Sequence, residues 1–162
     1  MLTAETLRRV LNYNPDTGLL TWRESRGRVA AGQVAGSLRK RDGVVRVRVN
    51  GRFYGAHRLA WLWVNGRWPG NELDHINGIP SDNRIANLRD CGRTINRQNM
   101  RRAHHDSASK TLGVSWSASS RKWRARIWAG GKEVGLGIFD TTEQAHKAYL
   151  TAKRRLHPGC TI

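Results

Sequence analysis

Residues 74–99 read DHINGIPSDNRIANLRDCGRTINRQN, and this polar stretch decides the fold of the region around it. Residues 73–76 are predicted to form a short strand that turns at residues 77–78, an Asn-Gly pair typical of tight turns. A polar loop then leads to residues 87–89, and residues 94–102 are predicted to form a helix. A hairpin followed by a helix is therefore expected here.

Three side chains of this stretch suggest a chemistry. The Asp74 carboxylate and the Asn96 amide oxygen are hard ligands that suit Mg²⁺ or Mn²⁺, and water and a phosphate oxygen would complete the coordination. His75 points away from Asp74 if the strand alternates, and its ordinary pKa of ~6.5 leaves it mostly neutral and basic at neutral pH. Taken singly, a histidine such as His75 is more often structural than a catalytic base, and Asn87 could equally be an amide that fixes a loop.

The joint spacing of these residues resembles the HNH endonuclease family of the ββα-metal fold, particularly its phage and intron-encoded homing branch. The resemblance rests on HRLAWLW at residues 57–63, DHINGxxxDNRxxNLR at 74–89 and the Gln-Asn pair at 98–99. It covers about residues 2–100.

The resemblance implies roles for four residues. His75 would be the general base, Asp74 and Asn96 the metal ligands, and Asn87 the residue that holds the hairpin loop. Asparagine at position 96 replaces the last histidine of the most familiar pattern, which favours one Mg²⁺ or Mn²⁺ ion per active site over zinc or nickel. The implied reaction is hydrolysis of a DNA phosphodiester to 5′-phosphate and 3′-hydroxyl ends.

The charge distribution points to a polyanionic partner. The chain has 29 Lys and Arg against 12 Asp and Glu, a formal net charge of +17. Residues 1–70 contain 13 basic and 4 acidic residues and residues 101–162 contain 12 and 4, whereas residues 71–100 contain 4 of each. Basic flanks of this kind bind nucleic-acid phosphates, with double-stranded DNA the expected partner and RNA a weaker hypothesis. No amphipathic basic helix suggests a membrane surface.

Size and composition narrow the class further. At 162 residues and 38% hydrophobic content, the chain is expected to fold as one medium domain or two small ones. The longest apolar run, residues 59–64, is far shorter than the ~20 residues that span a bilayer. Residues 1–10 do not resemble a signal peptide. Cys91 and Cys160 do not have the spacing of a cysteine zinc site. Taken together, these features lead us to expect a cytoplasmic protein of a bacterial cell or phage-infected host.

The N-terminal part shows alternating helical and strand patterns. Apolar residues at helical spacing predict a helix over residues 2–11, which a turn at residues 14–18 ends before a short strand at 19–22. Residues 45–54 form a predicted hairpin around Asn-Gly, with one apolar and one cationic face. Residues 57–65 are predicted to form a helix that Gly66 ends.

The C-terminal part is predicted to form three strands and one helix. Alternation marks strands over residues 122–128 and 134–138, and Asp140 with Glu143 has the spacing of a capping box at the start of the helix. One helix can cover only one face of the sheet. The opposite face, which carries Arg124, Arg126 and Trp128, is therefore expected to be open.

This part resembles the plant apetala2/ethylene-response-factor DNA-binding domain over about residues 110–158. The matching segments are GVSW at 113–116, KWRARIW at 122–128 and LGIFDTTEQAHKAY at 136–149. The resemblance implies that the sheet contacts the DNA major groove. Base preference does not carry over, because three positions differ from the plant domains: Ser115, Ser117 and Gly135. A generic module that binds the DNA backbone remains the alternative.

The sequence thus predicts an α+β protein: an HNH nuclease core with an N-terminal β-ribbon and helices, plus a three-stranded antiparallel sheet with one helix. The predicted domains are residues 1–102 and 112–162, joined by a linker over 103–111. We expect a site-directed endonuclease, monomeric or homodimeric, that nicks DNA as a monomer; the alternative is a non-catalytic, sequence-specific DNA-binding protein on a relic HNH scaffold. The predicted DNA contacts are Arg46, Arg48, His57, Arg58, Arg93, Arg97, Arg124, Arg126, Trp128 and Lys132.

Overall fold

The computed structural model describes residues 1–162, which fold into two compact units, Met1–Gly92 and Arg93–Ile162. Both units mix helices with small antiparallel sheets, and the chain contains four α-helices in all. The mixed α/β class predicted from the sequence is confirmed. None of the four helices combines the length and the hydropathy that crossing a membrane requires.

The first unit contains two α-helices, a short 3₁₀-helix over Ile85–Asn87 and seven strands. In chain order the α-helices and strands are α1 (Ala4–Val10), β1 (Leu11–Tyr13), β2 (Leu20–Trp22), β3 (Ser37–Leu38), β4 (Val45–Val49), β5 (Arg52–Gly55), α2 (Ala56–Asn65), β6 (Glu72–His75) and β7 (Leu88–Cys91). The strands form three separate sheets: β1 with β2, β3 with β4 and β5, and β6 with β7.

The N-terminal helix is shorter than predicted. The Thr3 hydroxyl caps α1 by accepting a hydrogen bond from the Thr6 amide, and the helix ends at Val10. Leu11 was expected to continue the helix, but its extended backbone instead starts β1 and pairs with Trp22. Leu11 is fully buried, so its apolar side chain serves the core from a strand.

The β4–β5 hairpin and the following helix agree with the sequence pattern. Val47 and Val49 are fully buried, while the turn residues Asn50 and Gly51 both have the positive φ that a two-residue hairpin requires. Helix α2 ends at Asn65, and the left-handed backbone of the next residue, Gly66, lets its amide donate to the Leu62 carbonyl in the last turn. The apolar face of α2 packs with β4 in the main core of this unit.

The second unit contains two helices and one sheet: α3 (Arg93–Gln98), β8 (Val114–Ser117), β9 (Lys122–Ala129), β10 (Lys132–Phe139) and α4 (Thr142–Leu156). Helix α3 was expected to extend to residue 102, but it ends at Gln98. The next residue, Asn99, is buried and its side chain accepts a hydrogen bond from the Thr161 hydroxyl. The Asn99 backbone amide still donates to the Ile95 carbonyl, so Asn99 directly follows the last turn of α3.

The three strands and one helix predicted for residues 112–162 are present. β9 lies between β8 and β10, and Ala125 and Ile127 on its buried face pack in the cores that α4 completes. The predicted cap of α4 was wrong, because Thr141, not Asp140, accepts the Gln144 amide at the helix start. The Asp140 carboxylate instead pairs with Lys122 at 2.8 Å.

The domain limits predicted from the sequence stay a prediction. Residues 103–111, the predicted linker, contain turns but no helix or strand. The β6–β7 hairpin belongs to the first unit and α3 to the second. The ββα-metal core therefore also stays a prediction.

Candidate functional site

The β6–β7 hairpin presents Asp74 and His75 on opposite faces. Its register pairs Asp74 with Arg89 and His75 with Leu88, and paired residues share one face of a two-stranded sheet. The alternation expected from the sequence is therefore present. Each side chain has a different environment, set by the residue opposite it.

Asp74 is almost completely buried and lies beside a guanidinium group. Its Oδ2 atom accepts two hydrogen bonds from Arg89, at 2.9 Å from Nε and 2.6 Å from Nη2. The carboxylate is 7% exposed, so this partner offsets the cost of burying its charge. An ionised carboxylate is also the kind of oxygen donor that a hard divalent cation requires.

His75 is held by a buried asparagine that sequence reasoning missed. Its Nε2 lies 3.2 Å from Oδ1 of Asn83. Because an amide oxygen can only accept a hydrogen bond, this contact favours the imidazole with the proton on Nε2 and the lone pair on Nδ1. In the sequence, Asn83 stands out only as the middle residue of the Asp-Asn-Arg segment at positions 82–84.

Asn83 is itself fixed by two further hydrogen bonds. Its side-chain amide donates to the Ser81 carbonyl at 3.2 Å, and its backbone carbonyl accepts from the Tyr13 hydroxyl at 2.8 Å. Asn83 is 4% exposed, so its side chain has little freedom to rotate. The first hairpin of the chain thereby supports the residue that orients His75.

The surroundings of His75 keep it neutral. Burial is the main effect and lowers the pKa of His75 below its ordinary value, while the Asn83 hydrogen bond and the charges of Asp74 and Asp82 partly oppose the shift. A neutral imidazole can accept a proton at neutral pH. The site therefore presents a base, which is the state that water activation needs.

Asn87 joins the two ends of the loop between β6 and β7. Its Oδ1 accepts from the Asn77 amide at 2.9 Å, and its Nδ2 donates to Asn77 Oδ1 at 3.0 Å and to the Asp82 carbonyl at 2.8 Å. Asn87 is buried and makes contacts ten residues away along the chain. These hydrogen bonds fix the loop, while the catalytic role assigned to Asn87 from the sequence stays a prediction.

A charged pair in the same loop was not predicted. The Asp82 carboxylate accepts from Arg84 at 2.8 and 2.6 Å and from the Asn77 side-chain amide at 2.6 Å. These hydrogen bonds, with Arg84 the largest effect, lower the pKa of Asp82 to about 2. The loop therefore carries a fixed negative charge at neutral pH.

A glycine lets the N-terminal turn approach this loop closely. Gly18 has a positive φ of 73°, and a Cβ atom there would lie 2.4 Å from the Arg84 amide nitrogen and 2.6 Å from the Asn83 carbonyl carbon. Any side chain would collide with the backbone beside the asparagine that holds His75. Gly18 is therefore required for this contact as well as for its own turn.

The remaining residues predicted around this site are divided between the units. Asn96, the second implied metal ligand, lies on α3 of the second unit together with Arg93 and Arg97. His57 lies in the first unit with its ring centroid 5.2 Å from that of His75. Arg58, beside it on α2, lies over the Trp68 ring at 5.7 Å.

The cationic face of the first unit carries an exposed aromatic ring. The Arg46 and Arg48 guanidinium groups lie 5.2 and 5.7 Å from the centre of the Phe53 ring, and that side chain is 58% exposed. Guanidinium groups that lie over an aromatic face in this way form cation–π contacts. Phe53 was not predicted as part of the surface, although it lies opposite Arg48 in the hairpin.

The open face of the second unit has the predicted composition. Arg124, Arg126 and Trp128 are all exposed, and Trp128 is 65% accessible. Arg126 forms an exposed ion pair with Glu133 at 3.1 Å. Lys132 is exposed at the turn that joins β9 to β10. Their roles in DNA binding stay predictions.

A further set of metal-ligand types occurs in the second unit. One ligand atom from each of His104, His105 and Asp106 lies within 4.8 Å of the others, and all three residues are exposed. No sequence argument had singled them out. The exposure of these three side chains to solvent distinguishes the group from the buried Asp74 carboxylate.

Comparison with known proteins identifies the region that contains the hairpin. Residues 54–98 match the HNH endonuclease family. Protein 3.8 of Escherichia phage T7 is 34% identical to the chain over 110 residues, which cover 65% of this chain and 89% of that protein. The chain belongs to the family of protein 3.8 and carries an HNH endonuclease domain. The HNH match is narrower than the expected span of residues 2–100, yet it includes Asp74, His75, Asn87 and Asn96. No solved structure matches the chain.

Proposed function

We propose that this HNH protein is a site-directed, divalent-metal-dependent DNA endonuclease of the homing type, acting in a phage-infected bacterial cell. One observation carries the proposal: a neutral His75 at the end of β6 is held at Nε2 by Asn83, on the opposite face from the buried Asp74 carboxylate. This arrangement supplies a base and an acidic ligand type within one hairpin of an HNH domain.

The donor set fits a hard divalent cation. We propose that Asp74 and Asn96 hold one Mg²⁺ or Mn²⁺ ion, since carboxylate and amide oxygens are the ligand types these ions prefer. When bound, the ion would stabilise the negative charge that develops on the leaving 3′ oxygen. Arg89 would keep the Asp74 carboxylate oriented through its hydrogen bonds to Oδ2.

His75 would act on the attacking water. Nδ1 takes a proton from water as its oxygen attacks phosphorus, the bond from phosphorus to the 3′ oxygen breaks, and the leaving oxygen acquires a proton from solvent. The products are a 5′-phosphate and a 3′-hydroxyl. Asn83 would stabilise the imidazolium that forms, because its oxygen accepts the Nε2 proton throughout. Asn87 would keep the loop in place.

The basic surfaces would provide DNA affinity. We propose that Arg46, Arg48 and Arg58 in the first unit contact DNA, with Phe53 between the first two as an apolar contact, and that Arg93 and Arg97 contact phosphate. The open β-sheet face of the second unit would be a DNA reader of the apetala2/ethylene-response-factor type, through the exposed side chains on β9 and Lys132. A monomer with one such centre would nick a single strand.

The alternative is a non-catalytic DNA-binding protein on a relic HNH scaffold. The observation that favours it is the ion pair between Asp74 and Arg89, because the guanidinium competes with a metal ion for the same carboxylate. A plasmid-nicking assay separates the two. We expect the wild-type chain to convert supercoiled plasmid to the nicked form with Mg²⁺ but not with EDTA, and His75→Ala to do so at least about a hundredfold more slowly. Equal nicking by both proteins would refute the proposal, and His104→Ala serves as a control for loss of an exposed imidazole.

A further inference from the structure

His57 lies against the ring that the proposed mechanism uses. It is the second residue of α2, and its ring meets the His75 ring edge to face, with 5.2 Å between centroids and 64° between planes. Its Nδ1 atom is buried and makes no hydrogen bond. No hydrogen bond at Nδ1 therefore holds the ring, which packs against the His75 ring.

Gly55 provides the space for this ring. A Cβ atom at position 55 would lie 2.5 Å from Cε1 and 3.0 Å from Nδ1 of His57. The backbone of Gly55, with φ −69° and ψ 134°, is one that any residue adopts, so its conformation does not require glycine. The absence of a side chain matters here because the imidazole folds back over it.

The contact adds no charge beside the catalytic ring. Burial, followed by the influence of His75 and Arg58, lowers the pKa of His57 to about 4. The His57 ring is therefore neutral under the conditions in which His75 is neutral. It limits the motion of His75 without repelling the imidazolium that forms during the reaction.

We propose that His57 is a positioning residue for His75, and that position 55 is glycine because a side chain there would collide with the His57 ring. Asn83 fixes one edge of the His75 imidazole through Nε2, and His57 restricts the ring through an aromatic contact. Together they would hold Nδ1 in one direction. This inference rests on the proposed function, in which His75 is the general base, and it replaces the expectation that His57 contacts DNA.

The first test is single-turnover plasmid nicking with Mg²⁺ and excess protein. His57→Ala should lower the rate at saturating protein by about tenfold to a hundredfold, because a small misplacement of a reacting group has effects of that size. The protein concentration that gives half-maximal rate should not change. His57→Phe, which keeps an aromatic ring at the site, should restore most of the rate.

Gly55→Ala tests the same contact from the other side. It should displace the His57 ring and lower the rate in the wild-type background, yet have no further effect in the His57→Ala background. This non-additivity is expected only if Gly55 acts through the ring. An equal effect of Gly55→Ala in both backgrounds would overturn the role assigned to Gly55.

A readout without DNA or metal complements the kinetics. The ring-proton NMR signals of His75 should carry a shift from the neighbouring ring that His57→Ala removes and His57→Phe retains. The inference would be overturned if His57→Ala kept both the wild-type rate and the wild-type positions of the His75 signals. It would also be overturned if His57→Ala raised the half-saturating protein concentration without changing the maximal rate, because that result indicates a DNA contact. If His75→Ala nicks like the wild type, the proposed function fails first, whereas an inactive His75→Ala beside a fully active His57→Ala refutes only the positioning role.

Discussion

The stability of the first unit should fall in mild acid because of His57. Its folded-state pKa of about 4 lies below the ordinary value of 6.5, so the unfolded chain binds the proton more readily than the folded one. The free energy of unfolding is therefore highest, as far as His57 is concerned, above pH 6.5, and this part of it is lost as the pH falls towards 4. The full loss corresponds to about 3 kcal/mol, and the part lost between about pH 7 and pH 5 to about 2 kcal/mol.

A variant that cannot titrate isolates this effect. His57→Phe should lose less stability than the wild type over the same pH interval, by about 2 kcal/mol. Urea unfolding followed through the backbone amide signals of Leu59 and Leu62 reads the first-unit core alone. His104→Phe, at an exposed histidine, should behave as the wild type. Equal losses for the wild type and His57→Phe would refute the assignment of a buried, neutral His57.

Four further predictions concern the site and the open sheet. The acid limb of the nicking rate should lie below about pH 6.5, because burial lowers the pKa of His75 and only its neutral form is a base; a limb above that value in a single-turnover pH profile contradicts this. Asn83→Ala should lower the nicking rate by about tenfold or more, since the tautomer and ring orientation lose their support; an unchanged rate contradicts it. Asn87→Ala should reduce the free energy of unfolding by about 1–3 kcal/mol, because buried polar groups lose their partners, as chemical denaturation will measure. Trp128→Ala should weaken DNA binding in a fluorescence anisotropy titration. The control, Trp116→Ala, removes an exposed tryptophan on the opposite face of the sheet, beside Trp123, and should leave binding unchanged. Equal effects of the two substitutions would exclude the open face as the DNA contact surface.

Secondary structure was predictable where the pattern was local. Alternating valines and arginines around Asn50 and Gly51 determined the β4–β5 hairpin, because strand alternation and turn chemistry agree there. The open face of the second unit followed from the same alternation along β9. Helix ends were less predictable. Leu11 fits a helical spacing as well as it fits a strand, and its pairing with Trp22 decides between them.

The tertiary contacts that support the site could not be predicted from the sequence pattern. Nothing in the spacing of Asn83 distinguishes it from other loop asparagines, and its role depends on burial and on the Tyr13 hydroxyl seventy residues away. His57 was among the expected DNA contacts, and nothing in the local pattern pointed to a neighbouring imidazole. Its ring instead folds back over Gly55 towards His75, a direction that no local pattern specifies.

The most direct measurement of the central claim is chemical rescue of His75→Ala by imidazole. Because His75 is proposed to remove a proton from the attacking water, the variant with Mg²⁺ alone should nick at least about a hundredfold more slowly than the wild type. Added imidazole should restore nicking in proportion to its neutral form and leave the wild-type rate unchanged. A His75→Ala variant that nicks plasmid at the wild-type rate without imidazole would contradict the account.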